Sequence, residues 1–292
     1  MTTTLRPTGP ESRTAEGRRS RAYEVCVNSR PVGAVTLLGP PGGGPAVGRL
    51  ERLFIEEGER RRGRGTVAAL AAEEALRGWG CTQVEANVRL DGLGEGEDAG
   101  GAGEAIPAGV RLLGVLGYTE HSRHMIKQLG ERTRLPPGSA VRPLTEGEFD
   151  AWWEAGAATF IEGLVARGFT PEQAAARSAA ARRTQLPDGA ASPGAALRVL
   201  TRDGTDVGSV WLGFTGLPRT DVDAWVYDIN VTPERRGEGH GRSLMLAAEQ
   251  VCLDAGARRL GLNVFAGNTT ARRLYTSLGF RPVQGCYVKT LL

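Results

Sequence analysis

Apolar residues along this chain switch between two spacings. At 140–144, 197–202, 206–214, 224–231 and 260–266 they crowd or alternate over short runs, which predicts strands. From near Arg242 they recur at helical spacing, with Leu244, Ala247, Ala248, Val251 and Ala255 on one face. Residues 146–168 and 171–183 also read as helices, the second opened by Thr170 as cap and Pro171 at the first position. A hairpin is expected at 23–38, turning around Asn28-Ser29-Arg30.

The pattern occurs twice. Residues 53–78 give an apolar strand, the run Arg60-Arg61-Arg62-Gly63-Arg64-Gly65, and a helix with Val67, Leu70, Ala71 and Ala75 on one face. Asn87 in V-E-A-N-V answers Asn263 in L-G-L-N-V, and residues 112–118 answer 274–280. The chain therefore reads as two α/β units in tandem, at 21–135 and 139–292. The earlier copy has lost features: Leu113 stands opposite Tyr275, and Ile106 opposite Asn268. The stretch from Asn87 to Ile106 is 14 residues longer than that from Asn263 to Asn268. The excess is a Gly-rich acidic loop, 91–104, too poor in apolar groups to pack.

Composition narrows the classes. A net charge of +3 over 292 residues implies no polyanionic partner, and the Arg60–Arg64 run lacks the interleaved aromatics of a nucleic-acid site. No stretch of about 18 apolar residues suggests a membrane span. Residues 1–20 are polar, without the apolar core of a signal segment, and are expected to be poorly ordered; cytoplasm is the expected compartment. Cys26, Cys81, Cys252 and Cys286 form no C-x-x-C pair and read as buried reduced thiols. His121 and His124 lack the companions of a metal site, so no metal is expected.

The densest chemistry lies at 235–243, R-R-G-E-G-H-G-R-S, between a strand and a helix. Alternating glycines admit a ligand to the backbone, and the helix adds unpaired N–H groups and its positive dipole end. Arg236 and Arg242 flank the turn. This is a pyrophosphate cradle, with neither the dinucleotide nor the P-loop spacing. The order Arg236-x-x-Gly239-x-Gly241 resembles the R/Q-x-x-G-x-G/A signature of the GNAT superfamily of acyl-CoA-dependent N-acetyltransferases. Residues 268–280, N-T-T-A-R-R-L-Y-T-S-L-G-F, resemble a second motif of that family, N-x-x-A-x-x-L-Y-x-x-L-G-F.

The resemblance implies two GNAT-like units, each a mixed, mostly antiparallel sheet flanked by helices, in a tandem like that of mycothiol synthase-like proteins. The C-terminal unit is then the catalytic one, and the N-terminal unit a degenerate scaffold that mimics a dimer within one chain, which would be a monomer or weak homodimer. It implies acetyl-CoA as co-substrate and an amine of a small molecule or peptide as acceptor. Arg236, Gly237, Glu238, Gly239, His240, Gly241, Arg242 and Ser243 would cradle the pyrophosphate. The backbone of Ile229, Asn230 and Val231 would hold the pantetheine arm, with Asn263, Asn268, Ala271 and Leu274 beside it. Asn268 serves equally as a helix cap. Tyr275 would protonate the departing thiolate as general acid; Asp228 would act as base or bind a cationic acceptor. A sensor that binds acyl-CoA without turnover, and a transferase of another acyl group, are the alternatives. Trp152 and Trp153 read first as core residues, and an acceptor cage second; Trp211 and Trp225 are expected near the cleft, and Glu249 is expected to be solvated.

Overall fold

The computed structural model describes residues 2–15, 17–42, 44–90, 106–165 and 169–291. The expected loop at 91–104 and the last residues of the helix expected at 146–168 lie outside them. The chain divides into two compact units, Met1–Arg123 with Val283–Leu292, and His124–Pro282.

In the first unit, strands β1 (Thr3–Pro7), β2 (Ser12–Arg13), β3 (Arg19–Val27), β4 (Arg30–Leu38) and β5 (Val47–Ile55) precede helix α1 (Arg64–Gly78), strand β6 (Gln83–Arg89), helix α2 (Ala108–Val115) and the start of strand β7 (Thr119–Gln128). The β3–β4 hairpin turns where expected, with Asn28 and Ser29 both at positive φ, as a two-residue primed turn requires. Neighbours pair antiparallel from β1 through β3 and β4 to β5, and β5 pairs parallel with β6.

Three expectations are corrected here. Part of the N-terminal stretch forms a strand: β1 pairs with β3 from Thr3↔Val27 to Pro7↔Tyr23, Leu5 packs on the core, and Arg6 reaches the Glu24 carboxylate at 2.5 Å. The unit boundary is not a single cut near 135–139. The last strand of the chain, β13 (Arg281–Thr290), closes the first unit by pairing with β6 from Gln284↔Arg89 to Thr290↔Gln83, and it places Tyr287 in that unit's core. The face of α1 is also different. Ala68, Ala69, Ala72 and Leu76 are buried, whereas Val67 and Leu70 are exposed. Small alanines let the helix lie close on the sheet, so side-chain size misstates which face is inward.

The second unit takes His124–Gln128 of β7, then β8 (Ser139–Pro143), α3 (Glu146–Val165), α4 (Pro171–Gln185), β9 (Ala195–Arg202), β10 (Thr205–Gly213), β11 (Ala224–Val231), α5 (His240–Asp254), β12 (Arg259–Phe265) and α6 (Thr269–Ser277). Its sheet runs antiparallel from β8 to β11, with β12 parallel beside β11. Thr170 caps α4 in a full capping box with Gln173. One core lies beneath α5 and α6 (Leu212, Leu244, Met245, Leu262, Phe280), and it includes Met125 and Leu129. A smaller one lies beneath α3 and α4 (Phe149, Leu186, Leu197, Trp211).

Glu249 is buried, not solvated: its Oε1 accepts a hydrogen bond from Lys127 Nζ at 2.5 Å. The first unit repeats the arrangement, with Lys289 Nζ donating to Glu73 Oε2 at 2.6 Å. Each glutamate stands at the same place in its helix, and each lysine is on the strand that follows the last helix of a repeat. All four cysteines are free, three of them buried. Among the described residues no group of side chains is arranged to hold a metal ion, and no helix is long and apolar enough to cross a membrane.

Candidate active site

The site begins with a failure of pairing. β11 meets β12 at Ala224↔Leu260, Trp225↔Gly261 and Val226↔Leu262, and there the register ends, although β11 runs on to Val231 and β12 to Phe265. On its other side β11 stays paired with β10 through Val210↔Ile229 and Gly208↔Val231. One backbone edge of 229–231 is thus left facing a wedge-shaped gap, able to pair with an extended amide-containing chain. A bulge between Trp211↔Asp228 and Leu212↔Val226 gives Tyr227 an extra place in the strand. It turns Tyr227 and Asp228 together toward one cavity, where strict alternation would separate them.

The glycine loop follows the end of β11. Arg236 Nε donates to Val231 O at 3.2 Å, tying the turn to the strand. Gly237 and Gly239 both sit at φ +86°, a conformation that penalises any side chain. Gly239 caps α5, whose first backbone bonds are donated by Arg242 and Ser243 to Gly239 O. The amides just before them make up the open helix start. Side chains in the loop are otherwise engaged. Glu238 accepts from Arg235 and lies 3.2 Å from His240 Nε2, so the backbones of Glu238 and His240 are the parts left to meet a ligand. Arg242 donates to Ser277 Oγ at 2.5 Å, and Ser243 is buried. A Cβ at Gly241 would stand 3.3 Å from Leu274 Cδ2, so α6 packs directly on the first turn of α5.

Across the gap, Asn263 is exposed one position past the last β11–β12 pair. Asn268 caps α6 by accepting from Ala271 N at 3.0 Å. Tyr275 is buried with its ring 5.9 Å from that of Phe280, and burial, then the Asp228 carboxylate, push its phenol up to about 12. Burial likewise raises the Asp228 carboxyl above its ordinary value, partly offset by a hydrogen bond from the Ile229 backbone. The two residues expected to move protons therefore sit within electrostatic reach of each other.

Asp228 also lines a cavity of about 210 Å³ between α3, α4 and the sheet. Trp152 and Trp153 contribute to its wall as well as packing on the core beneath. Trp211 stacks on Tyr227 at 4.8 Å. Trp225 is elsewhere, buried edge-on against His124 at 5.0 Å. Sequence reasoning missed Tyr227, Phe160, Ser178 and Gln185, which also line it. The bulge at Tyr227 has no local sequence signal, but Phe160 lies eight residues after Trp152 on one helix, a spacing that could have found it.

The first unit repeats the frame with other residues in it. β5 and β6 pair from Val47↔Gln83 to Leu50↔Ala86 and then part, and Arg60 Nε donates to Ile55 O at 2.9 Å, as Arg236 does to Val231. Counting from the last parallel pair, Arg52 stands where Asp228 does, while Leu113, fully packed, stands for Tyr275. Arg61 occupies the positive φ that Gly237 takes in the other loop.

The acetyltransferase (GNAT) family matches residues 3–94 and 169–280, more than half of the chain. A mycothiol acetyltransferase of Thermobispora bispora is 30% identical over 275 residues, 86% of this chain and 86% of that protein. The uncharacterized N-acetyltransferase YycN of Bacillus subtilis is 30% identical over 143 residues, 48% of this chain and 91% of that one. Among solved structures, a tandem GNAT protein from the clavulanic acid biosynthesis pathway covers 99% of this chain and 98% of its own, at TM-score 0.51 and 19% identity, a likeness of fold alone. The chain belongs to the GNAT family of acetyltransferases and carries two of its regions in tandem, which makes it an acyltransferase.

Proposed function

We propose that the C-terminal unit transfers the acetyl group of acetyl-CoA to a primary amine by direct attack in a ternary complex, while the N-terminal unit is a scaffold without turnover. One observation carries this reading. The β11–β12 pairing ends at Val226–Leu262, leaving a strand edge with the glycine loop at one end and Asp228 near the other, and Tyr275 close enough to feel the Asp228 charge. The gap suits the pantetheine arm, and the loop amides suit the pyrophosphate.

The chemistry then follows from the residues. An alkylamine with pKa near that of lysine is neutral in only about one molecule in a thousand at pH 7. Asp228, made more basic by burial, accepts the ammonium proton directly or through one water. The nitrogen lone pair forms a bond to the thioester carbonyl carbon, and charge gathers on its oxygen near the free backbone edge of 229–231. Collapse breaks the C–S bond. The sulfur takes the Tyr275 proton, and the proton shed by the new amide nitrogen restores the phenol through solvent. The products are the acetamide and free CoA thiol, and Asp228 returns the ammonium proton to solvent.

Paired variants test it by calorimetry with acetyl-CoA. Gly241→Asp sets a negative charge at the start of α5, which suits the helix dipole but repels a pyrophosphate; Gly65→Asp does the same in the first unit. Loss of binding in Gly241→Asp alone is the expected result. Binding abolished only by Gly65→Asp would assign the site to the wrong unit, and binding without turnover of any amine would leave a sensor.

A further inference from the structure

We propose that the acceptor is an arylalkylamine: a primary amine on a short alkyl arm that ends in one flat apolar ring system. This rests on the C-terminal unit being the one that transfers. Five aromatic residues, Trp152, Trp153, Phe160, Trp211 and Tyr227, line the cavity together with Asp228, the one charged residue among the described residues that line it. Four of the rings, all but Phe160, are set in mutual contact. Trp211 stacks on Tyr227 at 4.8 Å and meets Trp152 and Trp153 edge-on at 6.2 and 6.1 Å. Trp152 is anchored by donating from Nε1 to Ser209 Oγ at 3.0 Å. Such walls are preorganised to hold a ring by stacking and edge contacts.

The placement of charge orients the guest. A carboxylate at the edge of an aromatic chamber draws in an ammonium group, and aromatic faces favour a nearby cation. Among the described residues, no arginine or lysine lines the cavity to receive a carboxylate or phosphate on the acceptor. Apart from Asp228 and the Tyr227 phenol, the side-chain polar groups of the described wall are those of Ser178 and Gln185 and the indole N–H groups, few for an amino sugar's hydroxyls. The volume, about 210 Å³, is below the range of roughly 300–1,000 Å³ for pockets that enclose drug-sized ligands. It matches a ring and a short arm better than an aminoglycoside.

Gly156 provides the test, because it lines the cavity from α3 and a Cβ there would meet nothing within 4 Å. Gly156→Leu fills the chamber and suits the helix, so the variant should fold. Wild type and variant are assayed for CoA thiol release with 2-phenylethylamine, tryptamine, glucosamine and glutamic acid as acceptors. Tryptophan emission on adding each amine, with acetyl-CoA present, reports binding independently of turnover. The arylalkylamines should exceed glucosamine in kcat/KM by about 100-fold, shift the emission, and lose both effects in Gly156→Leu, with acetyl-CoA affinity unchanged. Faster transfer to glucosamine or glutamic acid, or no emission change with 2-phenylethylamine, would overturn the acceptor class. An emission change lost in Gly156→Leu, without acetyl transfer to any amine, would support the acceptor class and sink the transfer reaction instead.

Discussion

Replacing Tyr275 by phenylalanine deletes one oxygen from a side chain that is 6% exposed, and it keeps the ring against Phe280. The change therefore tests a proton more than a packing contact. Burial first, and the Asp228 carboxylate second, raise the phenol from 10.0 to about 12. At about 1.36 kcal/mol per unit, that disfavours tyrosinate in the folded protein by about 2.7 kcal/mol. The consequences fall at two ends of the pH scale. Near neutrality the phenol is fully protonated and available to the leaving sulfur, so its removal should slow turnover by roughly 10²- to 10⁴-fold at saturating acetyl-CoA. Under alkaline conditions the unfolded chain gives up this proton first, near its ordinary value, while the folded chain holds it. Stability then falls as pH rises from about 10 to about 12, and wild type should lose about 2.7 kcal/mol relative to Tyr275→Phe across that window. CoA thiol release gives the first number; urea unfolding of both proteins along the pH series gives the second, with the other tyrosines cancelling in the difference. A kcat within about threefold of wild type would remove Tyr275 from the reaction. Parallel alkaline stability curves would mean the phenol is not held in the buried environment described.

Other perturbations have equally definite outcomes. Asp228 has its carboxyl raised by burial, so its charge costs the folded state stability at neutral pH. Asp228→Asn should therefore unfold at higher urea than wild type at pH 7, an advantage that disappears as pH falls toward the ordinary carboxyl range. Its kcat/KM should drop by about 100-fold; an equally active variant would rule out both roles of that carboxylate. Lys127→Met strands the Glu249 carboxylate and should cost about 3 kcal/mol, the low end for a broken buried pair because Lys127 is 19% exposed. Adding Glu249→Gln should recover part of the loss, and a double-mutant coupling below about 0.5 kcal/mol would class the pair with surface ion pairs. Asn268→Ala should cost about 1 kcal/mol through the lost cap, whereas Asn268→Asp keeps it. Equal urea midpoints for the two would argue against capping.

What could be read from the sequence was local chemistry. The loop 235–243 and the stretch 268–280 are legible in consecutive residues, because a helix start and its cap are built from neighbours. Thr170-Pro171 and Asn28-Ser29 are legible for the same reason. Features fixed by distant partners are not. Glu249 looks like any exposed helix acid until Lys127, 122 residues earlier, is placed beside it, and Glu73 waits on Lys289, 216 residues later. The parting of β11 from β12 and the bulge at Tyr227 are properties of strand pairs, and no residue in either strand announces them. β1 has one large apolar residue, Leu5, too little signal to distinguish a strand from a tail. The inward face of α1 was hidden because alanines fill most of it beside Leu76, while Val67 and Leu70 face outward.

The assignment of β13 to the first unit has a consequence for how the molecule is made. On the ribosome, residues 1–123 appear first, yet the strand that completes their sheet is not synthesised until the whole of the other unit has emerged. For that interval β6 has an uncovered edge from Gln83 to Arg89, the kind of template that captures other chains. The N-terminal half therefore matures last although it is translated first. A gene cut between the two units would separate β6 from its closing strand, and would leave Tyr287 in a fragment that lacks the core it fills.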